Sequence, residues 1–262
     1  MILGSSGNGI ALVALSAAMA AVAQTPTPGK DQEFYELRIY RVETAEKQQR
    51  VEAYLKDALL PALNRQGLDR IGVFKAMDKP EELSVFVLIP YSRLELIAQV
   101  NPKLAADQAY QAAAAGYMAS PKSDPVFQRL ESRLYKAFSG IPVIDLPAQT
   151  AQGQPRIFEL RLYESHNEEM AVRKVEMFNA GETQVMRDTG LAPVFFGEAL
   201  IGQDVPHLLY LLSAADMDAH KTHWQAFLSH PEWLRLKALP RYQDSVSKIR
   251  NWFLTPTAYS QI

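Results

Sequence analysis

Two short strings carry the residue types from which a site could be built. Glu36, Arg38 and Tyr40 alternate through Phe34-Tyr35-Glu36-Leu37-Arg38-Ile39-Tyr40, and Glu159, Arg161 and Tyr163 alternate through Ile157-Phe158-Glu159-Leu160-Arg161-Leu162-Tyr163. A period of two is that of a β-strand, so each trio shares one face while Tyr35, Leu37 and Ile39 share the other. A carboxylate and a guanidinium two positions apart on one face can act in two ways. They neutralise each other as a structural lock, or the guanidinium takes the acidic group of a ligand with the tyrosine as a further donor. The apolar faces suit a helix layer. The polar faces are therefore predicted to look into a shared interior, where Glu36, Arg38, Tyr40, Glu159, Arg161 and Tyr163 meet as a lock or as a ligand-binding set.

The five histidines offer less. His220 and His223 lie three apart on a predicted helix with Asp216 four before His220, a spacing compatible with metal ligation, but no third ligand is fixed. No metal or other cofactor is predicted. An axial ligand for haem is left open at His166, His207, His220, His223 or His230, beside the plainer reading of each as a surface or packing residue. Trp224, Phe227, Trp233 and Leu236 are expected in the core between helices and sheet. Cysteine is absent, which excludes disulfides, thiolate catalysis, Fe–S clusters and cysteine-ligated zinc. The chain holds no nucleophile elbow, P-loop, dinucleotide fingerprint or zinc-protease motif.

The elements that must position these residues come twice. Glu36 and Glu159 are 159 − 36 = 123 apart, and the same interval pairs Arg38 with Arg161, Tyr40 with Tyr163, Gly67-Leu68 with Gly190-Leu191 and Ala76 with Ala199. In the first copy a strand at 34–42 precedes a helix over 44–65, whose stripe is Val51, Leu55, Ala58, Leu59 and Ala62. Strands follow at 68–77 and 83–89 about the turn Asp78-Lys79-Pro80, then helix from Ser92, an Ala-rich stretch over 103–119, a helix from Asp124 and a strand over 135–144. The second copy repeats this with strands at 157–164, 191–201, 207–213 and 247–256, and helices at 167–188, from Asp216 and from Pro231. Matching Asp124-Pro125 to His230-Pro231 gives 106, which predicts a net insertion of 123 − 106 = 17 residues in copy one, within a helical segment at 101–123. The units are then 33–146 and 156–262, joined by a linker at 147–155. The order β-α-β-β-α-β is the ferredoxin-like unit, so the fold class is α+β: two such units packed as a pseudo-two-fold α/β barrel.

Composition narrows the partners. With 21% charged residues of both signs and a net charge of −2, the composition gives no electrostatic case for nucleic acid, which would need a basic face or stripe. Ile10 to Val22 is small and apolar but too short to span a bilayer, and Ala21-Val22-Ala23 followed by Gln24 reads as a cleavage site. Residues 1–23 are thus expected to be an export signal, although residues 1–9 lack Lys and Arg, and 24–32 a linker. The mature chain is expected to be periplasmic or secreted, with no stable membrane span after cleavage.

The sequence resembles the NIPSNAP family over about residues 33–262. The resemblance is carried by Glu36-Leu37-Arg38-Ile39-Tyr40 and its second copy, by Gly67-Leu68-Asp69-Arg70-Ile71-Gly72, by His223-Trp224 through Pro231-Glu232-Trp233, and by Leu254-Thr255-Pro256-Thr257-Ala258-Tyr259-Ser260. It implies the dimeric α/β-barrel fold, closed here within one chain. Families sharing that fold include cofactor-independent monooxygenases, isomerases and haem proteins, and fold does not choose among them. The expected function is binding of a small organic ligand or a protein partner, with homo-oligomerisation possible. The alternatives are a cofactor-independent monooxygenase or isomerase, which leaves enzyme status open, and a haem-binding barrel.

Overall fold

The computed structural model describes residues 1, 32–77 and 81–262. The export signal, the linker up to residue 31 and the turn at 78–80 lie outside the described residues. The first unit opens with β1 (Phe34–Arg41) and α1 (Ala45–Tyr54), where the Thr44 hydroxyl accepts the Lys47 N–H as an N-cap. A π-helical turn (Leu55–Leu59) leads into α2 (Leu60–Arg65). Then come β2 (Gly72–Ala76), β3 (Val85–Tyr91), α3 (Glu95–Ala106), α4 (Gln108–Met118) and β4 (Arg129–Ala137). A short α5 (Ala148–Gln152) lies between the units. The second unit runs β5 (Ile157–Glu164), α6 (Glu168–Met177), a second π-helical turn (Phe178–Glu182), α7 (Thr183–Asp188), β6 (Ala192–Ile201) and β7 (His207–Ala214). It ends with α8 (Met217–Ser229), α9 (Pro231–Lys237) and β8 (Lys248–Pro256).

The eight strands close into one barrel in the order β1-β3-β2-β8-β5-β7-β6-β4. Each unit supplies four consecutive strands, and the units meet edge to edge at β2–β8 and β4–β6. Closure leaves no strand edge to be covered. Tyr35, Leu37, Ile39, Phe86, Leu88, Phe158, Leu160, Leu162, Phe195, Leu209 and Leu211 form a single cluster drawn from both units, none more than 3% exposed. That cluster is the barrel interior.

The interior is therefore apolar, and the predicted facing of the strands is reversed. Leu37 and Leu160 point into the barrel, whereas Tyr40 packs with Val51, Leu55 and Leu59, and Tyr163 with Phe178 and Met186 of the helical layers. Glu36, Arg38 and Tyr40 do not meet Glu159, Arg161 and Tyr163; the two trios lie under different helices. An eight-stranded barrel has an interior just wide enough for side chains to fill, so bulky apolar residues belong there.

The repeat is more regular than the Asp124–His230 match implied. Asp107 and His230, 123 apart, each end one helix and cap the next, so α3–α4 correspond to α8–α9. Asp124–Gln128 is not helical and runs directly into β4, which lies at 129–137 rather than 135–144. Ser132 stands opposite Arg38 and Asn251 opposite Arg161, an interval of 251 − 132 = 119. Between barrel strands the first unit is thus four residues longer, not seventeen, and residues 101–118 belong to the shared helix pair.

Gly67 and Gly190 follow α2 and α7 at matched positions, both with φ of 82°. Gly67 has open space where a Cβ would sit, whereas one on Gly190 would lie 2.8 Å from the His223 ring. Gly67→Ala is expected to cost about 1 kcal/mol, from the backbone alone. Gly190→Ala should cost about 2–3 kcal/mol because strain and the clash act together. Urea unfolding of both variants measures the difference.

Candidate functional site

Each unit holds an ionised glutamate between its sheet and its helices. In the second unit β5 carries Glu159, whose side chain is 1% exposed. Its Oε1 accepts from Arg161 Nη1 at 2.5 Å and from Asn251 Nδ2, on neighbouring β8, at 2.9 Å. Its Oε2 accepts from His220 Nε2 and Trp224 Nε1, both at 2.9 Å. The last two are four residues apart on α8, so one helical face delivers both donors to one oxygen. Burial pushes the Glu159 carboxyl up, but the His220 bond, the Arg161 charge and the Asn251 bond outweigh it and hold the group down at about 2.

Arg161 is the side of this arrangement that faces outward. Its guanidinium carbon lies 4.6 Å from the Trp224 ring centre and 5.4 Å from that of Tyr163. Nε donates to the Tyr163 hydroxyl at 3.2 Å and Nη1 to Glu159, while among the described residues Nη2 has no hydrogen-bond partner. The side chain keeps 16% exposure. Tyr210, from β7, donates to the Tyr163 hydroxyl at 2.7 Å, and burial raises both phenols.

The first unit repeats the pair with different company. Arg38 grips Glu36 through Nε at 2.8 Å and Nη2 at 2.9 Å, and the hydroxyls of Ser132 and Tyr91 complete the carboxylate at 2.7 and 2.9 Å. Burial opposes ionisation of Glu36, and the Arg38 bonds and charge override it, so its carboxyl is held below the usual range. Tyr40 is buried beside this pair, and Tyr54 stacks on Tyr117 at 3.8 Å.

The histidines part company. His220 is buried against Glu159, His223 turns to Gly190, and Asp216 caps α8 by accepting from the Asp218 and Ala219 amides. The predicted His220–His223 metal spacing is therefore not used as a ligand set. Among the described residues no group of three or more His, Cys, Asp or Glu side chains could hold a metal ion. His207 is buried with Nε2 at 3.0 Å from the Tyr135 hydroxyl, His230 caps α9, and His166 is exposed. Trp224 and Trp233 are partly buried around Phe227 as expected, but Trp224 also serves the site.

Sequence reasoning missed Asn251, Tyr210, Tyr91 and Ser132, which only strand register brings to the two pairs. It also missed a buried ion pair, Lys174 Nζ to Glu182 Oε2 at 2.6 Å. The signal for that pair was present: the 123-residue interval sets Lys174 and Glu182 against Val51 and Leu59 on the same helical stripe.

Residues 158–261 match the family model described as NIPSNAP. Among solved structures, a proposed monooxygenase from Lactobacillus acidophilus NCFM superposes with a TM-score of 0.56 at 9% identity, covering 86% of this chain and 94% of that one. A second proposed monooxygenase, from Fusobacterium nucleatum subsp. nucleatum, gives 0.52 at 11% identity over 86% and 93%. An uncharacterised NIPSNAP-like domain protein from Burkholderia xenovorans is 19% identical over 40% of this chain and 88% of its own, with a TM-score of 0.37. No curated protein matches the chain. At such identities the first two likenesses establish the fold: the dimeric-type α/β barrel, closed here within a single chain.

Proposed function

We propose, from the match of residues 158–261 to the NIPSNAP family model and from the geometry around β5, that the chain is an exported binding protein for a small organic acid, held on Arg161 between β5 and α8. One observation carries the reading. Arg161 is fixed in orientation by Glu159, Tyr163 and Trp224, yet keeps Nη2 unpartnered among the described residues and 16% of its side chain exposed. A guanidinium held over an indole and still offering N–H groups is suited to a carboxylate. The filled barrel interior directs the ligand to the sheet–helix layer instead.

Binding is favoured over proton transfer by Glu159. A carboxylate held at about 2, with donors on both oxygens, is a poor general base near neutral pH. The monooxygenase or isomerase alternative draws on fold likeness only. For haem, the two buried imidazoles are unsuited as axial ligands, since Nε2 of His207 faces the Tyr135 hydroxyl and Nε2 of His220 faces Glu159. Export rests on the Ala21-Val22-Ala23 pattern. Among the described residues no helix is long and apolar enough to cross a membrane. N-terminal sequencing of the protein from a native host should begin at Gln24; a retained 1–23 segment contradicts export.

Calorimetric titration with benzoate tests the site. The wild type should bind one equivalent, Arg161→Lys should weaken binding by about tenfold or more because the planar fork is lost, and Arg38→Lys should leave it unchanged. No binding by the wild type, or a loss confined to Arg38→Lys, would contradict the proposal.

A further inference from the structure

The two units act as internal controls for one another, and they differ most at a buried ion pair. Both carry the π-helical turn at matched positions, Leu55–Leu59 and Phe178–Glu182, so the turn belongs to the shared architecture. At the positions of Val51 and Leu59, both fully buried, the second unit places Lys174 and Glu182, which are 4% and 2% exposed. The fold itself is satisfied by two apolar side chains there. A buried pair in their place gives no stability that a well-packed apolar pair lacks, because desolvation of both charges offsets their attraction. Some other requirement keeps it.

The surroundings indicate what that requirement is. Lys174 Nζ lies 4.4 Å from the Phe178 ring centre, 5.6 Å from that of Trp233 and 5.7 Å from that of Tyr163. Tyr163 is the same ring that Arg161 overlies at 5.4 Å, so the two cations stand beside one tyrosine. Nζ donates to one carboxylate oxygen, and its other contact is the Met177 sulfur at 3.5 Å, a weak acceptor. The Trp233 Nε1–H is buried with no partner among the described residues. An ammonium and an indole N–H are thus gathered in an aromatic cage with too few acceptors, and a buried donor left without a partner is costly. Gly181, with φ of 153° where the first unit has Ala58, shapes the turn that presents Glu182.

We infer that Lys174, held by Glu182, and Trp233 form a second polar position of the Arg161 site and receive a second oxygen of the ligand, which makes that ligand a planar hydroxy- or oxo-acid. The inference rests on the proposed binding at Arg161. Its acid group sits on Arg161 and its second oxygen accepts from Lys174 and Trp233, the two cations standing beside the one Tyr163 ring. The first unit, with Val51, Leu59 and Tyr110 at these positions, has no counterpart to Lys174 or Glu182.

The test transplants the first unit's own residues. Benzoate and the three hydroxybenzoate isomers are titrated into the full chain and into the double variant Lys174→Val/Glu182→Leu, with Tm measured for both. At least one hydroxybenzoate should bind the wild type tenfold or more tighter than benzoate. The double variant should lose the preference, with a Tm equal or higher. Persistence of the preference in the double variant, or its absence from the wild type while benzoate still binds, overturns this inference and leaves the Arg161 reading standing. Failure of the wild type to bind any of the four overturns both. A fall in Tm with the preference intact assigns the pair a purely structural role and overturns the inference as well.

Discussion

Glu159→Gln is expected to destabilise the protein by about 3–5 kcal/mol, the scale for breaking a buried charge pair. All four partners of Glu159, from Arg161, Asn251, His220 and Trp224, are nitrogen groups directed at the carboxylate. Glutamine replaces one acceptor oxygen by an NH2 group, so a donor faces donors, and Arg161 loses its counter-charge. Glu36→Gln is the matched control. Two of the partners of Glu36 are the hydroxyls of Ser132 and Tyr91, which can turn to accept. Its cost should be smaller, about 1–3 kcal/mol. The pH dependence has a definite sign. The folded-state value of about 2 lies below the ordinary 4.5, so Glu159 contributes stability in full above about pH 4.5 and loses it as pH falls toward 2. The contribution is about 3 kcal/mol. Urea midpoints across that window should fall for the wild type and flatten in Glu159→Gln. A midpoint unchanged by the substitution at pH 7 would show that Glu159 is not held as described.

Phe195→Ala is expected to cost about 3–5 kcal/mol, as for other large-to-small changes in packed cores. Phe195 is fully buried in the barrel interior, with its ring 4.9 Å from that of Tyr35 in the other unit. Phe74 and Phe158 make a second contact of this kind at 4.9 Å. These rings hold the halves together along the axis. A barrel that kept its interior open for a ligand would tolerate loss of one lining ring, with a change below about 1 kcal/mol. Thermal or urea unfolding of the variant separates the two outcomes.

The repeat, the order of the main elements and the barrel were legible because the 123-residue interval persists through strand, helix and turn. Which face of β1 and β5 looks inward was not. Barrel strands under helices are buried on both faces, so a polar–apolar alternation does not point to solvent, and Glu36 and Glu159 gave a misleading cue. Closure decides the matter together with bulk, since the axis of this barrel is filled by the apolar cluster that includes Leu37, Phe86, Leu160 and Phe195. The false helix at Asp124 has a similar lesson. Pro125 and Pro231 share neighbours in sequence, but Pro231 follows a capping His230 while Pro125 lies in a loop entering β4. The persistent interval, which pairs His230 with Asp107, was the better guide. Asn251, Tyr210, Tyr91 and Ser132 could not be placed without register, because a one-residue slip moves every side chain to the other face. Lys174 and Glu182 needed only the same interval applied to the helices.

The central claim is that the ligand binds between the sheet and helices of the second unit and not in the barrel. The chain has three tryptophans, each in an informative place. Trp224 donates to Glu159 beside Arg161, Trp233 lies beside Lys174, and Trp252 packs with the interior cluster, near Phe86. Their indole N–H signals in a two-dimensional ¹H–¹⁵N NMR spectrum, assigned by single Trp→Phe variants, report the three locations separately. On titration with benzoate the Trp224 signal should move and saturate while the Trp252 signal stays in place. Movement of Trp252 alone, or no movement of Trp224, would contradict the account.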